Sequence, residues 1–338
     1  MHRRADALIS LRRPFLRASL GACLPSPWYP MTKITEIASG LRFPEGPIAM
    51  LDGTVLLVEI ERGTLTRVHP DGRTEVVAET GGGPNGAAIG PDGACYICNN
   101  GGFAWVRGEG TLRPHMQAEG YKGGRIERVD LATGRVDVLY THGPNHKLNG
   151  PNDLVFDAHG GFYFTDLGKV REREQDRGCV YYAKADGSLI KEVAFPLMTP
   201  NGCGLSPDGR TLYVAETWTG RVWAYDITAP GEVVKAPWPA PNGGRLLAGV
   251  GDFNLFDSLA VDAAGNVCVA TLFNPGITVI SPDGARVRHI SIAGDAYVTN
   301  ICFGGKDLAT AYVTLSMTGR LVSFPWDSAG AKLNYLNT

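Results

Sequence analysis

The feature that most constrains this chain is an internal repeat. One pattern recurs six times: a polar residue, a short apolar run, a tight turn of the Asp-Gly kind, and a second apolar run. The copies are EGPIAMLDGTVLLVEI from Glu45, NGAAIGPDGACYICNN from Asn85, NDLVFDAHGGFYFTDL from Asn152, NGCGLSPDGRTLYVAET from Asn201, DSLAVDAAGNVCVATLF from Asp257 and NICFGGKDLATAYVTLS from Asn300. Asp-Gly between strand-like runs signals a hairpin, because both residues tolerate the positive φ of hairpin turns. Most copies are followed by a second turn, in HPDG at 69–72, DLATG at 130–134, KADG at 184–187 and SPDG at 281–284. Two hairpins per copy make a four-stranded unit that buries its faces only by stacking on its neighbours.

The leading residues stand 40 apart at the closest, Glu45 to Asn85, and 67 at the widest, Asn85 to Asn152. That range brackets the length of a propeller blade. The expected fold is therefore all-β: a six-bladed β-propeller with four antiparallel strands per blade. Composition agrees. With 44 Gly and 22 Pro in 338 residues, a helical bundle is excluded, because both residues disfavour helix interiors. A hydrophobic content of 44 % with a net charge of −2 excludes a disordered chain. Lys33 to Gly40 is expected to supply a strand to the last blade, beside GRLVSF at 319–324, leaving no open edge.

The same numbers bound the partners. Near-neutral charge gives no case for nucleic acid or an anionic membrane surface, and no apolar run reaches the roughly 20 residues of a membrane span. No obligate protein partner is signalled. Seven scattered cysteines read as free thiols in a reducing, cytoplasmic setting. Cys95 and Cys98 form a C-x-x-C, but within a strand they face opposite sides and are expected to be core. Residues 1–30 carry Arg3, Arg4, Arg12, Arg13 and Arg17 against one acid, Asp6. They read as a poorly structured extension, either a transit-like segment or, the reading favoured here, an over-long start before Met31. The propeller domain is then 31–338.

Strand parity places the site. The Asp-Gly turns all fall on one face, and Asp52, Asp71, Asp92, Asp208 and Asp283 serve those turns. The six leads, Glu45, Asn85, Asn152, Asn201, Asp257 and Asn300, converge on the opposite rim around the axis. Insertions at 101–124 and 141–151 map to that same rim. Two carboxylates and four amides are hard oxygen donors, which suit calcium; magnesium, manganese or zinc are the other options. No His or Cys holds a leading position, which disfavours zinc. GGGPNG at 81–86 matches a dinucleotide fingerprint only in letters, because a hairpin and not a helix follows it.

FPEGP at 43–47, PND at 151–153, PNG at 200–202 and FDSLAVD at 256–262, in that order, resemble the SMP-30/gluconolactonase/LRE family. The resemblance implies a six-bladed propeller holding one divalent metal, usually calcium, and hydrolysing a small lactone, with a place in carbohydrate metabolism. It implies Glu45, Asn152, Asn201 and Asp257 as metal ligands, with Asp257 also the general base or nucleophile. Candidates for holding substrate are Asn85, Lys147, Asn149, Trp218 and Asn300. Where regucalcin-like members carry an arginine two residues before the PND asparagine, this chain has Gly150, so its substrate pocket is expected to differ. Two other functions fit the same residues: organophosphate or aryl-ester hydrolysis at the same metal, and a non-catalytic propeller stabilised by calcium.

Overall fold

The structure, a computed structural model, describes residues 33–337. The reading of 1–30 as an extension, with Met31 as the start, lies outside the described residues. Six small antiparallel sheets follow one another at 44–79, 84–140, 151–197, 200–249, 255–291 and 298–325. They form a six-bladed β-propeller, with no helix among the described residues. The last blade is completed by Thr35–Ala38, which pairs antiparallel with Arg320–Pro325, Thr35 opposite Ser323. The ring therefore closes by joining the start of the domain to its end, Thr35–Ala38 forming the outermost strand of the last blade.

Two details exceed four strands per blade. In the fourth blade both Glu232–Val233 and Arg245–Gly249 pair with Arg221–Ala229. In the second, a separate hairpin of Phe103–Gly108 and Thr111–Gln117 projects between the second and third strands. No helix among the described residues is long and apolar enough to cross a membrane.

Each blade is sandwiched between two others, so both faces of its strands are buried. This is why Val55–Glu59 and Cys95–Asn99 are buried along their whole length instead of alternating. Successive side chains still point to opposite faces. Cys95 packs with Leu56, Val58 and Leu65 of the first blade; Cys98 packs with Phe162 and Phe164 of the third. The core is accordingly a set of seams between adjacent blades. One joins Tyr163 and Tyr182 to Leu212 and Tyr225; another joins Ile277 and Val279 to Val313 and Phe324. Each fully buried Leu, Val or Phe contributes roughly 1.5–3 kcal/mol. The six cysteines among the described residues are buried and unpaired.

Candidate functional site

Every inner strand leaves its ladder at the leading residue. In the first blade, Glu45 to Ile48 advances three positions while the partner strand, Val58 to Leu56, advances two. The same one-residue excess falls between Pro84 and Ala87, Pro151 and Leu154, Pro200 and Cys203, Phe256 and Leu259, and Val298 and Asn300. A bulge re-aims a side chain and is common beside functional sites. Here it recurs in all six blades, and five of the leads line one cavity. Glycines after three leads let the blades approach at this level. A Cβ on Gly86 would lie 2.5 Å from the Asn152 carbonyl oxygen, and one on Gly202 2.5 Å from the Leu259 nitrogen.

Braces behind the ring fix the loops that deliver it. The second strands of four blades end in an acid or amide, and each accepts backbone N–H groups from the segment before a lead. Arg42 donates to Glu59 (2.7 Å), Gly83 to Asn99 (2.9 Å) and Met198 to Glu216 (2.7 Å). Asn149 and Gly150 both donate to Asp166, at 2.8 and 2.7 Å. Sequence reasoning missed these four residues, although they stand at one position of the repeat, in VEI, CNN, TDL and AET.

Five of the six leads, Glu45, Asn85, Asn152, Asn201 and Asp257, line one cavity of about 490 Å³ on the loop face. All five are at most 9 % exposed. Asn300 does not face this cavity. It lines a second one, of about 870 Å³, toward the turn face, and its Nδ2 donates to Glu45 Oε2 at 2.7 Å. Gly46 N donates to the same oxygen at 2.8 Å. Asn300 thus orients Glu45 from beneath. The Asn201 amide reaches Ser258 Oγ (3.3 Å), Thr217 Oγ1 (3.2 Å) and the Asp257 carboxylate.

Trp218 lines the same cavity, half-exposed. Lys147 and Asn149 do not. Lys147 is exposed beyond the second blade, bridged to His142. The Asn149 side chain donates to Asp176 at 3.2 Å, and its carbonyl accepts from the Tyr121 hydroxyl. Gly150 cannot be replaced by a larger residue without backbone movement, since a Cβ there would lie 2.4 Å from the Gly168 carbonyl oxygen.

The wall above the ring is largely aromatic. Phe273 packs on Tyr297 at 5.3 Å, Tyr297 on Phe43 at 5.9 Å, and Phe43 on Trp105 at 5.3 Å between ring centres. The projecting hairpin forms a flap over one side. Its Leu112 is buried against Phe43 and Ile60, Leu112 N donates to the Met317 carbonyl (2.9 Å), and Gln117 N to the Val170 carbonyl (2.9 Å). At the flap's base Lys169 is buried, donating to the Gly102 carbonyl at 3.0 Å and lying 4.6 Å over the Phe103 ring. Burial lowers its pKa to about 7.

Charge at the floor is unbalanced. Burial pushes the Glu45 carboxyl up to about 7 against the hydrogen bonds from Asn300 and Gly46. Burial and then the Glu45 charge hold Asp257 well above the ordinary carboxylate range, and raise Asp153, just below the ring, to about 8. No cationic side chain among the described residues is a main contributor to any of the three. Asn152 Oδ1 is buried with no hydrogen-bond partner among the described residues, a rare state for a polar atom. Two facing carboxylates and an unspent amide oxygen fit a hard divalent cation. No group of three or more His, Cys, Asp or Glu gathers anywhere among the described residues, the floor included, so a cation here would rely on the amide oxygens as well as the two carboxylates.

Fold and floor together define a class: propellers whose axial site is a bulge-presented ring of buried carboxylates and amides. The chain belongs to the SMP-30/gluconolactonase/LRE-like family, whose model matches residues 43–317. It is 27 % identical over 305 residues to a gluconolactonase of Zymomonas mobilis, covering 81 % of this chain and 77 % of that protein. It is 28 % identical over 271 residues to lactonase drp35 of Staphylococcus saprophyticus, covering 79 % and 74 %. Its fold is similar to that of a calcium-binding protein, regucalcin, from Agrobacterium tumefaciens, with a TM-score of 0.66, 19 % identity and coverage of 88 % and 94 %.

Proposed function

We propose that this protein is a divalent-metal-dependent hydrolase of small lactones, cytoplasmic, with calcium the best match to its donors. The observation that carries the reading is the floor of the loop-face cavity: Glu45 and Asp257 buried together without a cation, beside the unpartnered Asn152 Oδ1. The gluconolactonase and lactonase relatives support it. Glu45, Asn152, Asn201 and Asp257 would hold the ion. Once bound, a divalent cation supplies Lewis acidity toward a lactone carbonyl.

The chain's own residues supply the rest. Asp257 accepts a proton from water as the water oxygen attacks the carbonyl carbon. The ring C–O bond then breaks, and the proton passes to the alkoxide, giving a hydroxy acid. A carboxylate beside a cation has a lowered pKa and is a modest base, which suffices for a lactone, an activated ester. Asn300 keeps Glu45 in one orientation, and the Asn201 amide does the same for Asp257. Asn85 and Trp218 line the space a lactone ring would take. The aromatic wall limits water at the reacting carbon.

The deciding experiment is a panel of lactones, aryl esters and organophosphates, run after chelation and again with calcium, manganese, magnesium or zinc restored. Lactones should show the highest kcat/KM, lost on chelation and regained with metal. A chelator-induced drop in melting temperature without turnover of any ester would identify a structural ion in a binding propeller.

A further inference from the structure

We propose that Arg113 recognises an anionic group on the substrate, so that the lactones this site takes are ones carrying a free carboxylate. The proposal rests on the lactone-hydrolase reading above and deepens it. Arg113 lies on the flap strand Thr111–Gln117 and lines the cavity whose floor is the ring. The residue before it, Leu112, is buried and hydrogen-bonded to the sixth blade, so the backbone that carries the guanidinium is fixed.

Two arginines line this cavity, and they differ. Arg171 is engaged with Asp176 and, at 3.2 Å, with Glu174. Arg113 takes part in no ion pair among the described residues. Tyr297 and Asp257 line the same cavity, and the positive charge of Arg113 lowers the Tyr297 pKa against burial and the Asp257 charge, which raise it. The guanidinium shares with Glu45 and Asp257 one cavity of about 490 Å³, room for a small ring with one substituent.

The charge balance favours an anion. A divalent ion on Glu45 and Asp257 would leave the floor neutral, and the wall beside Arg113 is Tyr297, Phe273 and Phe43. Arg113 is exposed at the mouth of the cavity, and an unpaired guanidinium there meets a carboxylate with two parallel hydrogen bonds. The opposing group is Glu172, an exposed acid on the same cavity and in no ion pair among the described residues. It would weaken an anion's hold and so tune the site.

The test compares γ-valerolactone with the same ring bearing a carboxylate in place of the methyl, on wild type, Arg113→Met, Arg113→Lys and Glu172→Gln. The ratio of KM for the acidic lactone to KM for the neutral one should rise about tenfold in Arg113→Met, with kcat little changed. It should rise less in Arg113→Lys and fall in Glu172→Gln. An unchanged ratio in Arg113→Met overturns the proposal. Binding is read separately by calorimetry, using the cyclic ether that carries the same carboxylate and cannot be opened. If no lactone is turned over with any metal, the hydrolase reading fails alone. About tenfold weaker binding of that ether by Arg113→Met still upholds the arginine's role, and equal binding removes it.

Discussion

The two ends of the channel are made by the same six inner strands, yet they differ in the state of their polar groups. The turn-face cavity is the larger, about 870 Å³ against about 490 Å³. Its acid Asp157 is already satisfied. Asp157 accepts from His159 N, Gly161 N and the Tyr182 hydroxyl at 2.7, 2.9 and 2.8 Å. The C-terminal segment also lines this end: Gly330 N donates to the Leu308 carbonyl, Ala331 N to the Val261 carbonyl, and Asn334 Nδ2 to the Phe156 carbonyl. At the loop face, Asn152 Oδ1 has no partner among the described residues, and the Glu45 charge adds to burial in raising the proton affinity of Asp257. Volume therefore is not what sets the proposed site apart. The unspent amide oxygen of Asn152 and the joint burial of Glu45 and Asp257 are.

The strongest challenge to this contrast is one substitution at each end. Asp257→Asn should lower kcat/KM by about 10²–10⁴-fold, the usual contribution of a general base. In chelator it should melt no lower than wild type, because one of two mutually repelling buried carboxylates is gone. Asp157→Asn should behave oppositely, losing roughly 1–3 kcal/mol of stability through its disturbed hydrogen bonds while kcat/KM stays near wild type. Full activity in Asp257→Asn would put the chemistry elsewhere.

Gly86→Ala probes the close contact that builds the ring. The new Cβ would meet the Asn152 carbonyl oxygen at 2.5 Å and the Asp153 Cα at 2.6 Å, an overpacking worth about 1–3 kcal/mol. Because the strain falls on the Asn152 backbone, the gain in melting temperature on adding metal should shrink as well. An unshifted metal response would show that the ring tolerates displacement of that strand.

A smaller effect follows from protons at the floor. Glu45 titrates near 7 in the folded protein against 4.5 ordinarily. Between those values the folded state holds a proton that the unfolded chain has released. This stabilisation is complete at acid pH and is lost as pH rises through about 7. Chelated wild type should thus lose stability from about pH 5 to 8, as followed by denaturant melts, and Glu45→Gln should flatten the curve. A cation competes with that proton, so its binding should tighten over the same range. A wild-type curve identical to that of Glu45→Gln would show that Glu45 is not the group titrating.

Much of this was legible in the repeat, and the reasons are local. Period, turn chemistry and strand parity are properties of neighbouring residues, so they placed six blades, the closing strand at 35–38 beside 320–325, and five leads on one cavity. Parity alone put Asn300 with the others. It could not show that a lead can be spent on its neighbour, as Asn300 is on Glu45. Lys147 and Asn149 stand near Asn152 in sequence, but the bonds to Asp166 and Asp176 hold that loop away from the axis. The flap was legible as an insertion at 101–124 and not as a hairpin. Its docking depends on Leu112 meeting Phe43 and Ile60, a contact between segments far apart in the chain.

The smallest test returns to the quiet end of the channel. The Tyr335 hydroxyl accepts a hydrogen bond from Gly160 N at 2.8 Å, and its ring packs edge-on against Phe156 with centres 5.7 Å apart. Tyr335→Phe keeps the ring and removes the acceptor, so a backbone N–H in the turn after the third blade's inner strand loses its partner. The expected cost is about 1 kcal/mol, since Gly160 can turn to water at the turn face. That inner strand begins at Pro151 and carries Asn152 at its other end. If the two ends are independent, the melting temperature falls slightly while kcat/KM and the metal response stay as in wild type. If activity falls by more than the lost stability accounts for, strain at the turn travels along Pro151–Phe156 to the ring, and the two mouths form one coupled device.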